Sequence, residues 1–224
     1  LTSCDDDDDD NKQSGNAVIT IENVAEVKDF VQSGTFRMNG NQPVILPGQS
    51  VSITFNAGKG QSLMFATMYG YSNDIFFAPE NPGIELFNND GVAVTGNVSS
   101  KVKLWDNGTR VNQVPGTEVT HPGTAEIRDV TMIDGEDPQG NFFPAASELM
   151  ELTLAYTSTT SEFTLTIKNI LGGTVNETTF SSGVWVVFNM FGDGLVNEKL
   201  FFDFGEKSTG SLIELVETGN NAPL

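Results

Sequence analysis

The sequence predicts an all-β, antiparallel fold, and three features carry that expectation. Short runs with period-two alternation recur along the chain, as in SVSITF at 50–55 and FTLTIK at 163–168. Strand and turn formers dominate, with 23 Gly and 16 Phe beside abundant Thr, Val and Ser. Helix-building runs of Ala, Glu, Lys and Leu are almost absent. At 224 residues the chain can form one large β domain or two small ones, and it can bury roughly 70% of its unfolded surface.

Taken in order, the chain opens with a polar tail. Six aspartates at 5–10 repel one another, so residues 4–16 are expected to be a disordered tether. This run is not an EF-hand loop, because it lacks the Gly at its sixth and the Glu at its twelfth position. The β-branched run 18–23 reads as the first strand. Segment 27–36 is ambiguous, with Phe30 and Phe36 apolar and a Ser33–Gly34 turn. Pro47 and Gly48 turn into the half-buried strand 50–55. The run 63–68 is too uniformly apolar for a sheet edge, and 83–87 with 92–94 forms a hairpin around the 88–91 turn.

From 115 to 144 the chain is rich in Pro, Gly and Asp with few apolar anchors, the pattern of a long connection. Within it, Asp134 and Asp137 bracket an acidic turn that is a weaker candidate cation loop. Strands are expected at 148–156 and 163–169, joined by the polar turn 157–161, and again at 182–188. Segment 208–219 is compatible with a short C-terminal helix. Thr209 or Ser211 caps it, Leu212, Leu215 and Val216 share a face, and Gly219 ends it. One core over 17–224 is favoured, since neither 17–112 nor 147–224 alone offers strands for two closed sheets. An echo between VITIENV at 18–24 and FTLTIKNI at 163–170 leaves two related halves as the alternative.

Charge and composition exclude several functions. Eleven basic against thirty acidic residues leave a net charge of −19, a poor match to a nucleic-acid backbone. No apolar run approaches the length of a membrane-spanning helix. The only histidine, His121, sits in a His-Pro-Gly loop, and no serine lies in a G-x-S-x-G elbow, so a hydrolase triad has no support. One Cys and one His are too few for a zinc site. No pair of carboxylates stands out for glycoside hydrolysis. The expectation is a protein that is not an enzyme.

Two turns carry the remaining chemistry. FATMYGYSNDIFFAP at 65–79 and LWDNGTR at 104–110 each run from an apolar strand into a carboxylate on a turn, Asp74 and Asp106. Oxygen-rich turns held by one scaffold suit a hard cation such as calcium, which takes six to eight oxygen ligands in loose geometry. The bland alternative is that each aspartate forms an Asx-turn on its own backbone.

SNDIFFAP followed by LWDNGTRVN resembles a signature of the spondin-N domain, and FATMYGYSND with PGIELFNNDG resembles its bacterial branch. SSGVWVVFN and LFFDFGEKSTGSLIELVETGN near the C-terminus resemble the family's other signature. Two departures stand out: that second signature usually precedes the calcium turns, and Phe188 stands where bacterial relatives commonly have a histidine. The resemblance implies a C2-like, jelly-roll antiparallel β-sandwich with a Ca2+ ion bound by Asp74 and Asp106. Arg110 occupies the position of an expected acidic ligand. A guanidinium cannot coordinate a cation and repels it. Either Asn112, Asn73 or backbone carbonyls complete a weakened site, or Arg110 replaces the ion by pairing with Asp74 and Asp106.

The segment Leu1, Thr2, Ser3, Cys4 resembles the lipobox of bacterial lipoproteins, and an acidic run directly after it resembles a surface-export signal of Bacteroidota. That resemblance makes Cys4, the only cysteine, a lipid-bearing residue, with residues 1–16 as lipobox remnant and tether. The signal peptide's charged and apolar parts would lie upstream. Together these readings imply a lipid-anchored domain on the outward face of a bacterial outer membrane, working in binding or adhesion to an extracellular protein or glycan. The alternative is a carbohydrate-binding module of a surface glycan-uptake system, using Tyr69, Tyr71, Trp105 or Trp185 as sugar platforms. Membrane insertion through C2-like loops is disfavoured by the acidic body, and no nucleic-acid partner is expected.

Overall fold

A computed structural model describes residues 19, 20, 22, 30–39, 43–116, 118–174, 177–189 and 200–222. Cys4 and the aspartate tether lie outside the described residues. So does most of the 18–23 run; Ile19, which is described, is exposed and outside any strand.

Among the described residues, eleven strands form two antiparallel sheets. The larger contains β1 (Phe30–Phe36), β3 (Gln61–Tyr69), β4 (Ile75–Pro79), β5 (Ile84–Glu85), β7 (Val102–Asp106), β8 (Thr131–Ile133) and β11 (Phe180–Asn189). Its order is β1-β11-β3-β4-β7-β8, with β5 beside β3. The smaller runs β2 (Ser50–Asn56), β10 (Glu162–Asn169), β9 (Met150–Thr157) and β6 (Gly96–Asn97). The expected antiparallel β-sandwich is therefore present. Strands from 17–112 and from 147–224 interleave in both sheets, and one buried cluster extends from Phe36 to Val187.

The two sheets differ in sequence pattern because they differ in what covers them. Strands β2, β9 and β10 alternate in burial, with Ile53, Phe55, Leu152, Leu154, Phe163, Leu165 and Ile167 facing the larger sheet. Their other face meets water, which is why the sequence alternates there. The larger sheet is covered on both faces. Phe65, Phe77, Trp185 and Val187 point into the sandwich, while Ala66, Phe76, Trp105 and Val184 meet a second cluster outside it. Strands β3, β4 and β11 are accordingly buried almost throughout.

That outer cover is helix α2 (Gly210–Thr218), together with Phe202. Leu212, Leu215 and Val216 are fully buried against the sheet. Each such side chain contributes about 1.5–3 kcal/mol on leaving water. Of the two caps expected, Thr209 is the one used: its Oγ1 accepts from Leu212 N–H at 3.3 Å. Gly219 ends the helix at φ 72°. Residues 146–149, of which 148–149 were expected to be strand, form a single helical turn, α1 (Ala146–Leu149), leading into β9. The 115–144 connection contributes edge strand β8, an element without a hydrophobic signal long enough to read.

Gly183 stands where β11 slips register against β3, between Phe180 and Gly183. A Cβ there would lie 2.5 Å from Ala66 O, a backbone atom. Gly183→Ala is expected to destabilise by about 2 kcal/mol through overpacking, read as a lower denaturation midpoint with unchanged m-value. An unshifted midpoint would mean the bulge absorbs the methyl group.

Candidate functional site

The two turns meet at one end of the larger sheet because β4 and β7 pair there. Ile75 lies opposite Asp106, and Asn107 N–H donates to Asp74 O at 3.2 Å. Asp74, Asp106 and Asn107 are completely buried, and Asn112 is 5% exposed. Ser72 shapes the first turn: its hydroxyl donates to Tyr69 O at 2.6 Å and accepts from Ile75 N–H at 3.1 Å.

Each aspartate is partly satisfied by backbone, but in different ways. Asp106 Oδ1 accepts from Gly108 N–H at 2.8 Å, the Asx-turn expected of an aspartate two residues before a glycine. Gly108 has φ 71°, and a Cβ on it would meet Arg128 O at 2.7 Å, so both conformation and space call for glycine. Asp74 does not cap its own turn. Its Oδ2 accepts from Thr109 N–H at 2.9 Å, Thr109 Oγ1 at 3.1 Å and Arg110 N–H at 2.9 Å, so it ties the first turn to the second.

Arg110 does not replace an ion between the aspartates. Its Nη2 donates to Glu217 Oε2 on α2 at 2.7 Å, and Glu217 Oε1 accepts from Thr109 Oγ1 at 2.7 Å. The arginine that reaches an aspartate is Arg128, whose Nη2 lies 2.6 Å from Asp106 Oδ2 and also pairs with Glu126. Asn112 Nδ2 donates to the same Asp106 oxygen at 2.9 Å. Asn73 faces elsewhere, donating to Thr120 O at 2.8 Å and accepting from Gln113 at 3.0 Å. The structure thus brings Asp74, Asp106, Asn112 and Arg110 together and adds Asn107, Thr109, Glu126, Arg128 and Glu217.

Three oxygens at this site have no hydrogen-bond partner among the described residues: Asp74 Oδ1, Asn107 Oδ1 and Asn112 Oδ1, all buried. Buried acceptors are normally paired, and leaving one unpaired costs about 1–3 kcal/mol. Burial and, second, the charge of Asp106 raise the Asp74 pKa to about 7, against the pull of the Thr109 and Arg110 hydrogen bonds. Burial also raises Asp106, opposed by Gly108 N–H and Arg128. Glu217 holds the Arg110 guanidinium protonated, as Glu126 and Asp106 do for Arg128.

The unpartnered oxygens are one carboxylate and two amide oxygens. Among the described residues, no three His, Cys, Asp or Glu side chains group as a metal cluster. The weaker acidic loop is closed on itself: Asp137 accepts from Gln139 N–H, Asn141 N–H and Asn141 Nδ2. Three of the four expected sugar platforms are core residues. Tyr69, Trp105 and Trp185 are at most 7% exposed, with Trp105 Nε1 bonded to Ala78 O at 3.0 Å, while Tyr71 is half-buried. No protein-family model, curated protein or solved structure matches the chain.

Proposed function

We propose that this chain is a surface-displayed binding or adhesion module of the spondin-N, C2-like kind rather than an enzyme. A lipid on Cys4 would attach it to the outer face of a bacterial outer membrane, and a structural calcium ion would hold the loop end of its sandwich. The observation that carries the calcium reading is the group of unpartnered buried oxygens on Asp74, Asn107 and Asn112. Such donors suit calcium, which accepts carboxylate and amide oxygens in flexible geometry.

Charge supports the same reading. With all four carboxylates ionised, Asp74, Asp106, Glu126 and Glu217 face two guanidinium groups, Arg110 and Arg128, leaving two negative charges that one divalent cation would balance in place of the proton that burial otherwise holds on Asp74. The ion would supply that charge, and Asp74, Asn107 and Asn112 would hold it, while Asp106, whose oxygens are taken by Gly108, Asn112 and Arg128, would position Asn112 rather than bind the ion itself. With these groups buried, its role is to fix the two turns rather than to touch a ligand.

Calorimetric titration of calcium into chelator-treated protein, with magnesium as control, tests the reading. Saturable heat specific to calcium is expected, with a Kd of about 10⁻⁴–10⁻³ M, the range of extracellular modules. Arg110→Glu removes a cation beside Asp74 and should tighten binding about tenfold. Absence of saturable heat in both proteins would refute the calcium site. Wild-type binding with unchanged affinity in Arg110→Glu would show that the guanidinium does not oppose the ion.

A further inference from the structure

A separate feature lies beside β4 and β7. Two hollows adjoin there and share Glu80 and Asn81. One, of about 200 Å3, has an apolar wall made of Phe204, Met132 and Trp105. Phe204 is 66% exposed and Met132 38%, whereas Trp105 behind them is buried. The Trp105 and Phe204 rings sit 6.4 Å apart at 63°, an edge-to-face contact that supports the exposed ring. Scattered exposed apolar residues are ordinary, but here an aromatic and a methionine share the wall of one hollow.

The second hollow, of about 390 Å3, is polar. Glu80, Glu85, Lys101 and Lys103 line it with two charges of each sign. Among the described residues, none of these four side chains is engaged in an ion pair or hydrogen bond. Among the described residues their donors and acceptors are open to a ligand; Ser100 adds a hydroxyl, and Asn81, whose Nδ2 donates to Phe202 O at 3.3 Å, adds its amide oxygen. This local balance departs from the net −19 of the chain.

We propose that the two hollows form one groove that binds a neutral oligosaccharide. A pyranose ring has an apolar C–H face and a rim of hydroxyls that both donate and accept. The C–H face fits flat against Phe204 and Met132. Hydroxyls of the next sugar meet the carboxylates of Glu80 and Glu85 and the ammonium groups of Lys101 and Lys103. Balanced lining charge favours an uncharged ligand, and a polyanionic glycan would meet both Glu80 and Glu85 and the acidic body. The stacking residue is then Phe204, not the buried Tyr69, Trp105 or Trp185. This inference gives the binding module proposed above its ligand class, and rests on that reading for its purpose. Of the 104–110 run it uses only Trp105, which backs the Phe204 ring, and none of the residues that would hold the ion, so loss of the calcium site leaves it intact.

Native affinity electrophoresis of the 224-residue chain through gels containing mannan, xylan or mixed-linkage β-glucan tests it, with heparin as the polyanionic control. At least one neutral polymer is expected to retard the protein, equally with and without chelator. Phe204→Ala, which gives up one edge contact with Trp105 at an exposed position, should melt within a few degrees of wild type and weaken retardation about tenfold or more. Glu80→Gln combined with Lys103→Ala should weaken it independently. The proposal is overturned by retardation in none of the neutral polymers, by retardation in heparin alone, or by Phe204→Ala migrating as wild type. Retardation that disappears with chelator would move the ligand to the aspartate turns and overturn the groove.

Discussion

Chelator-treated protein is expected to melt below the calcium-loaded protein, and substitution of either turn aspartate should erase that difference. An ion that binds only the native state, at about a hundred times its dissociation constant, adds about 2.7 kcal/mol. For a domain of this size that corresponds to a rise of roughly 5–10 °C. Asp74→Ala and Asp106→Ala are the informative variants, although neither is silent without calcium. Asp74→Ala leaves the N–H groups of Thr109 and Arg110 without their acceptor, and Asp106→Ala strips Arg128, Asn112 and Gly108 of theirs. Both should therefore melt lower under all conditions. The decisive quantity is the calcium-dependent increment within each protein, not the absolute midpoint. A rise given equally by magnesium, or one that survives in either variant, would sink the site. No rise in wild type would leave Arg128 as the only cation serving Asp106.

Much of this architecture is legible in the sequence because it is written in local pattern. Alternation in 50–55 and 163–168 marks strands with one wet face, and the unbroken apolar run 63–68 marks a strand covered on both. Thr209, the Leu212–Leu215–Val216 stripe and Gly219 delimit α2. The aspartate turns are legible for the same reason, since each is a strand running into a carboxylate and a turn residue. Their partners are not. Arg128 lies in a connection without hydrophobic period, and only the fold-back of that connection onto Gly108, through Arg128 N–H to Gly108 O at 2.8 Å, brings its side chain to Asp106. Glu217 adjoins the buried stripe of α2 but arrives from a distant part of the chain. A weak signal existed: with only 11 basic residues, any arginine among acidic loops is a candidate partner for a buried carboxylate. Trp185, set between valines, reads as core, whereas the burial of Trp105 depends on the outer layer of Phe202 and α2, which arrives from a distant part of the chain.

Without calcium, the protein should lose stability as pH rises from about 4 to about 7, and Asp74→Asn should remove most of that slope. The Asp74 carboxyl is raised from 3.8 to about 7, chiefly because burial penalises its charge. Between those values the folded chain holds a proton that the unfolded chain has released. Since stability changes with pH as the protons bound unfolded minus those bound folded, the slope there is negative. Stability is fully present below about pH 4, declines across the window, and levels off above about 7. The loss amounts to on the order of 4 kcal/mol. Asp106, also raised by burial, adds to the slope in the same direction. Calcium should oppose the decline, because it binds the deprotonated carboxylate and supplies the charge that the lost proton no longer provides. The measurement is denaturant unfolding in chelator from pH 4 to 8, for wild type and Asp74→Asn, each repeated with saturating calcium. The wild-type minus variant difference should shrink or change sign as pH rises in chelator, and should do so less in calcium. A difference independent of pH would mean that Asp74 is ionised throughout, with its charge already met by the Thr109 and Arg110 hydrogen bonds. An ion would then have far less to contribute at this site.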